Sequence, residues 1–468
     1  MATKLSTDGY KIIKSEHPPA LIKEIKDELS VKPFTFTKSH NNDANGFSVF
    51  MESPKKLYIP RFYGLKKFGE PSINDIYEGD PIDISFKGSL RPEQQPIEDI
   101  YIKNAKEKGG GIISIKCGGG KTVLALHIAA ILKTKTIVVV HKDFLMTQWR
   151  DRIIEFLPEA RIGKIQQNTV DIENKDIVLA MVQSLSMKEY KEDTFKSFGL
   201  AIFDECHHLG AEVFSKSMRK VSSRYMLGLS ATPKRKDGLS KVFEWFMGDI
   251  VYLQTTKNED YAEVQLVECK SICPKYNKEE VNFRKEPCMP KMINNICEDF
   301  PRSEMILSLI KKYHREKRSI LILSDRRGHL ELLYKMLNAY SRGYYVGGMK
   351  PDELRESQEK DILLATYSMA SEGMDIPKLN TVILASPKSD VEQSVGRIFR
   401  QKACDRQLHP LIIDIQDNFS MFTKQCDKRI KFYHQNNFTL FKDGEEIKKA
   451  TKKTRKKKVV IADFALSD

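Results

Sequence analysis

Ile112-Ile113-Ser114-Ile115-Lys116-Cys117-Gly118-Gly119-Gly120-Lys121-Thr122 passes from an apolar run through three glycines to a lysine and a threonine, and a helical pattern follows over 123–133. Glycines at a strand-to-helix junction let backbone N–H groups turn inward, and the helix dipole and the lysine both favour an anion there. Gly118, Gly119, Gly120, Lys121 and Thr122 therefore read as a phosphate-binding loop. A strict G-x-x-x-x-G-K-[ST] pattern would need glycine at 115, where this chain has Ile115.

Outward from this loop, short apolar runs recur at 136–140, 176–181, 200–203 and 225–229, spaced widely enough for helices between them. Such alternation predicts a parallel sheet with crossover helices. A second series starts after a polar segment at 277–291, with candidate strands at 319–324, 344–346, 361–365, 381–385 and 411–415. The expected fold class is α/β: two tandem parallel-sheet domains, a small N-terminal domain and a basic C-terminal tail. The predicted divisions are 1–80 for a β-containing accessory domain, 81–255 for the ATP-binding domain, 256–417 for the second domain and 418–468 for a C-terminal extension.

The run at 200–203 delivers Asp204 and Glu205 from the end of a predicted buried strand, 83 positions after Lys121. Ligands bind at the carboxyl ends of parallel strands. An aspartate there can hold Mg²⁺, with Thr122 as a second oxygen donor, and a neighbouring glutamate can orient and deprotonate an attacking water. Together with the glycine loop, the pair predicts a nucleotide-hydrolysis site that uses Mg²⁺.

Length and composition bound this reading. With 468 residues, 41% hydrophobic and 30% charged, the chain suits two or three globular domains and excludes wholesale disorder. It shows neither a long uncharged apolar run nor a charged-then-apolar leader, so a soluble intracellular protein without membrane association is expected. Eight cysteines in a chain of this length are too sparse for a disulfide scaffold. Four fall between Cys269 and Cys297, but their spacing is irregular and no histidine accompanies them, so structural zinc is not expected. The formal charge is +14, yet residues 448–458 hold eight basic residues and no acid, which leaves +6 for the rest of the chain. That run reads as a solvated extension, a nuclear-import address or a phosphate-binding arm.

With these elements in place, the stretch 86–401 resembles the DExH-type superfamily 2 helicases, most closely the xeroderma-B-like enzymes and the helicases of large DNA viruses of the poxviral transcript-release type. Leu90-Arg91-Pro92-Glu93-Gln94 resembles the element ahead of the phosphate loop, which implies adenine contact by Gln94. Asp204-Glu205-Cys206-His207 resembles the DExH box, with His207 in a coupling role. Segments 140–149 and 181–185 resemble nucleic-acid-contacting motifs and implicate Gln148 and Ser184. Ser230-Ala231-Thr232 matches the Ser-Ala-Thr motif, which implies that Ser230 and Thr232 couple hydrolysis to movement.

In the second half, 320–325 resembles motif IV. Thr366, followed by Gly373 and Asp375, resembles motif V, implying phosphate contact by the threonine and ribose contact by the Gly-x-Asp. Gln393, Gly396, Arg397 and Arg400 match Gln-x-x-Gly-Arg-x-x-Arg. The resemblance implies that Gln393 couples and that both arginines stabilise charge developing on the γ-phosphate, a role that contributes about 10³ to 10⁵ in rate where measured. Arg235-Lys236-Asp237 stands where xeroderma-B-type enzymes carry Arg-Glu-Asp, a triplet that aids unwinding. Here lysine replaces the acid, so hydrolysis is the firmer expectation and unwinding the weaker one.

The expected activity is an ATP-dependent helicase or translocase in viral or cellular transcription, replication or repair. DNA is favoured and RNA is the second candidate, and either would be gripped mainly through phosphate and sugar. Three other readings compete: a duplex translocase without unwinding, the motor of a nuclease system, and a non-catalytic nucleic-acid-binding module. The presence of Lys121, Asp204, Glu205, Arg397 and Arg400 together argues against the last. A monomer is expected, working with transcription or replication proteins in a nucleus, a viral cytoplasmic replication site or a virion.

Overall fold

The computed structural model describes residues 3–32, 46–115, 118–191, 193–205, 211–231, 238–254, 261–401 and 405–447. They form two compact units, Met1–Thr255 and Thr256–Asp468.

The first unit opens with β1 (Lys4–Ser6) and β2 (Gly9–Ile13), followed by a two-stranded ribbon of β3 (Ser30–Val31) and β4 (Phe47–Ser48). With β5 (Met51–Glu52), β6 (Lys56–Ile59) and β7 (Ile73–Asn74), the first two strands make a five-stranded sheet in the order β5-β6-β2-β1-β7. The β-containing N-terminal piece expected from sequence is thus present.

An eight-stranded sheet follows, made of β8 (Gly110–Ser114), β9 (Thr136–Val140), β10 (Ile162–Gln166), β11 (Thr169–Asp171), β12 (Ile177–Met181), β13 (Leu200–Asp204), β14 (Tyr225–Ser230) and β15 (Ile250–Leu253). Its order is β11-β10-β12-β9-β13-β14-β8-β15, and every pairing is parallel except β10 with β11. The central strands are apolar on both faces because both faces are covered: all five residues of β8, β9 and β13 are buried. One face packs under the apolar helix Lys121–Leu132 and under Asp143–Phe156, which contributes Trp149. The opposite face shares its core with the N-terminal sheet, where Tyr10, Leu57 and Ile59 join Phe203 and Phe243.

Arg61 fastens that junction. Its buried guanidinium donates to the carbonyls of Ser223 (3.2 Å), Arg224 (3.0 Å) and Lys108 (3.4 Å). Gly109 next to it has φ +90°, so a side chain there would strain the backbone and its Cβ would push the Arg61 guanidinium aside.

The second unit holds β16 (Glu263–Glu268), β17 (Ile320–Ser324), β18 (Arg342–Tyr345), β19 (Ile362–Thr366), β20 (Thr381–Leu384), β21 (Leu411–Gln416), β22 (Thr439–Lys442) and β23 (Glu445–Glu446). The order is β18-β19-β17-β20-β21-β16-β22-β23, parallel apart from the final pair. Two parallel sheets in tandem confirm the α/β expectation. The expected boundary at 417 falls within this unit, because helix Ser420–Gln435 returns the chain to pair β22 with β16. Residues 448–458 lie outside the described residues. No helix among those described is long and apolar enough to cross a membrane.

Candidate active site

Three strand ends come level at the carboxyl edge of the first unit's large sheet. Ser114 of β8 is in register with Ser230 of β14, and Leu229 of β14 with Asp204 of β13. The chain leaves β8 for the glycine loop there, and Asp204 and Glu205 emerge two strands away. Gly118 and Gly120 take φ +80° and +78°, and no side chain caps the N-terminus of helix Lys121–Leu132, which leaves its first N–H groups for an anion.

Gln94, expected to meet adenine, is buried against this loop. Its Nε2 donates to the carbonyls of Gly119 (3.2 Å) and Gly120 (3.1 Å), and its Oε1 accepts from Arg91 N (3.0 Å). A Cβ on Gly120 would lie 2.4 Å from that Nε2. Gln94 thus braces the glycine loop from the element just ahead of it.

Lys121 Nζ lies 2.8 Å from Glu205 Oε1 and 3.4 Å from the Ile115 carbonyl, with both side chains largely shielded from solvent. Glu205 itself has φ +48°, a strained setting for a residue with a Cβ, and its Oε2 accepts a 3.4 Å hydrogen bond from Ala231 N. The acid expected to orient water therefore touches the backbone of the Ser-Ala-Thr motif. Ser230, beside it, is fully buried.

Asp204 is buried and accepts the Trp149 indole N–H at 2.8 Å. Burial, reinforced by the charge on Glu205, pushes its carboxyl up to about 6, while Lys121, the Trp149 hydrogen bond and His141 pull the other way. Such a crowded carboxylate pair suits a divalent cation, and the half-buried Thr122 hydroxyl is a further hard oxygen donor, so the residues fit Mg²⁺. Sequence alone missed the Trp149 tie. The signal available was a tryptophan on the inward face of helix Asp143–Phe156, whose indole N–H needs a partner once buried.

The remaining first-unit residues are placed as follows. Gln148 is half-buried on helix Asp143–Phe156. Ser184 is buried, its hydroxyl accepting Gln167 N at 2.9 Å, which turns that group inward rather than toward a strand. His207, Thr232 and Arg235 lie outside the described residues, as do Cys206, Lys236 and Asp237.

In the second unit, Thr366 ends β19, with its hydroxyl 3.2 Å from Ser368 Oγ. Gly373 closes helix Tyr367–Gly373, and Asp375 is exposed just beyond it. Gln393 is half-buried on helix Glu392–Val395. The two arginines differ sharply. Arg397 is buried and donates to the carbonyls of Ala370, Ser371 and Met374 (2.7 Å for the last). Arg400 is half-buried, with Nε 3.7 Å from Asp375 and no hydrogen-bond partner for that nitrogen among the described residues.

A glycine loop and lysine at a helix N-terminus, with paired acids two strands away on the same sheet edge, are the parts a nucleoside-triphosphate hydrolase needs, and a second parallel sheet in tandem fits the helicase type. Residues 87–235 match the family described as "Type III restriction enzyme, res subunit", and residues 302–402 match "Helicase conserved C-terminal domain". The chain is 38% identical to L396 of Acanthamoeba polyphaga mimivirus, which bears the name of an ATP-dependent RNA helicase, over 94% of this chain and 86% of that protein. QP509L of African swine fever virus, also carrying an RNA-helicase name, is 24% identical over 84% of this chain and 83% of its own length. Protein 161L of invertebrate iridescent virus 6, named as a helicase, is 26% identical over 90% of this chain and 97% of its own. The chain belongs to the superfamily 2 helicases, in the company of those of large DNA viruses.

Proposed function

We propose that this chain is an ATP-driven motor that advances along a nucleic-acid strand held mainly by its phosphates and sugars, with DNA as the first substrate. The observation that carries this reading is Glu205, which bonds at one oxygen to the phosphate-loop lysine and at the other to the backbone of Ala231. Bound ATP with Mg²⁺ supplies the transferable phosphoryl group. Lys121 is assigned to the phosphates and Thr122 with Asp204 to the metal. Glu205 is assigned to the attacking water, so that turnover at Glu205 registers at the coupling motif.

The arginines receive separate work. Arg397, spent on three carbonyls next to Gly373 and Asp375, is a positioning residue for the motif V loop. Arg400, half-buried with its Nε 3.7 Å from the Asp375 carboxylate, is assigned the charge-stabilising role that the family motif implies. Contacts by Gln148, Thr366 and Arg235 with the strand, and coupling by His207, Thr232 and Gln393, complete the reading.

RNA is the second reading, favoured by the RNA-helicase names of two relatives. Phosphate release measured with single-stranded DNA, duplex DNA and RNA, followed by strand displacement with either overhang, distinguishes the two and separates unwinding from translocation. Stimulation by RNA alone would transfer the reading to RNA, and stimulation by no nucleic acid would remove it.

A further inference from the structure

The polar segment ahead of the second unit's helices forms a defined loop. Val281 and Pro287 pair as an isolated antiparallel bridge, and the five residues between them make a tight tip. Asn282 holds that tip together. Its side-chain oxygen accepts from Arg284 N (2.8 Å) and Glu286 N (3.1 Å), its amide donates to Glu286 Oε2 (3.1 Å), and its backbone N–H donates to the Glu286 carbonyl (2.8 Å). Cys288 N bonds the Glu280 carbonyl at 2.6 Å, and Asn295 Nδ2 reaches Glu280 Oε1 at 3.4 Å, which ties the base of the loop to helix Met289–Glu298.

This scaffold presents a fully exposed phenylalanine, Phe283, followed by exposed Arg284 and Lys285. Neither cationic side chain has an ion-pair partner among the described residues, and Lys285 sits at φ +59°. A large aromatic ring held in water by a hydrogen-bonded frame has no folding role. The position of the loop suggests its use. Arg326, two residues beyond the end of β17, donates to Asn294 Oδ1 (2.5 Å) and to the Pro290 carbonyl (3.1 Å), so the helix that follows the loop is anchored at the carboxyl edge of the second sheet. Thr366, in register with Ser324 at the end of β17, lies on the same edge.

We propose that the 281–287 loop is a stacking pin: Phe283 packs against an unpaired base of the strand passing this edge, while Arg284 and Lys285 meet the flanking phosphates. The chemistry is general. Every base offers a π-face, so a single aromatic ring can hold or part bases without reading sequence, and adjacent cations supply the backbone attraction. This inference rests on the nucleic-acid motor proposed above.

The test uses the full chain with short single strands of DNA and RNA that each carry one 5-iodouracil. Irradiation is expected to cross-link the base to Phe283, and Phe283→Ala should bind the unmodified strand about 10-fold more weakly, with Phe283→Trp restoring affinity and Phe283→Leu failing to do so. Because the ring is fully exposed, all three variants should melt at the parent's temperature. Unchanged affinity in Phe283→Ala, or cross-links only elsewhere, would overturn the pin and point to a protein partner for the loop. Stimulation of the parent chain's ATP turnover by nucleic acid, measured alongside, reports on the motor reading separately, so either can fail without the other.

Discussion

The Lys121 ammonium lies 2.8 Å from Glu205 Oε1, an ion pair between the lysine of the glycine loop and the acid assigned to activate water. Under the proposed assignment, ATP phosphates would compete with Glu205 for Lys121. Lys121→Ala should therefore lower turnover by about 10²–10³-fold through lost charge stabilisation. Glu205→Gln should lower it by about 10²–10⁴-fold while leaving nucleotide bound. Fluorescent-nucleotide binding together with phosphate release checks both, and Glu205→Gln turning over at the parent rate would remove the glutamate from catalysis.

Asp204 gives a pH signature. Its carboxyl is held at about 6 in the fold, above its ordinary value of 3.8, so between these values the folded chain binds more protons than the unfolded one and stability falls as pH rises from about 4 to 6. Asp204→Asn should flatten that fall and melt higher than the parent at pH 7 without nucleotide. A cation bound at Asp204 favours its charged form, so Mg²⁺–nucleotide binding near pH 6 should release a proton, detectable by calorimetry in buffers of different ionisation heat. Parent and variant melting in parallel across pH 4 to 7 would refute the assignment.

Arg397 and Arg400 should separate experimentally. Arg397→Ala strands two buried carbonyls and a part-buried one and should cost about 3 kcal/mol of stability, read as a lower melting temperature. Arg400→Ala should melt near the parent temperature and lose about 10³-fold in nucleic-acid-stimulated kcat. A stable Arg397→Ala alongside a fully active Arg400→Ala would contradict the division of roles.

Gly120→Ala should raise KM for ATP by about tenfold. The new Cβ, 2.4 Å from Gln94 Nε2, displaces the amide from the Gly119 and Gly120 carbonyls and strains a left-handed φ. Isothermal titration with a non-hydrolysable analogue checks this, and unaltered affinity would show that Gln94 does not brace the loop.

The central strands and the glycine loop between a strand and a helix were legible in the sequence because their signals are local. Strand β9 has the limits of its apolar run, and β13, β14 and β17 match theirs to within a residue, since strands buried on both faces are unbroken apolar runs. Strands β10 and β16 escaped because IGKIQ and EVQLVE alternate or carry charge, and their pairing depends on partners far along the chain. At the site, spacing pointed to Lys121, Asp204 and Glu205, whereas Gln94 turning to the loop and Arg397 turning to three carbonyls are decisions of packed geometry. Motif spacing places a guanidinium on an element. What it bonds there depends on which carbonyls the neighbouring helix leaves exposed to it.

The central claim is that hydrolysis at Lys121, Asp204 and Glu205 is coupled to a nucleic-acid strand. The most direct measurement is steady-state phosphate release by the full chain, with and without single-stranded DNA, duplex DNA and RNA, at low and high salt, for the parent and Lys121→Ala. Turnover should rise with at least one nucleic acid, fall back as salt weakens the phosphate grip, and vanish in Lys121→Ala. Turnover indifferent to every nucleic acid, or stimulated release surviving in Lys121→Ala, would contradict the account.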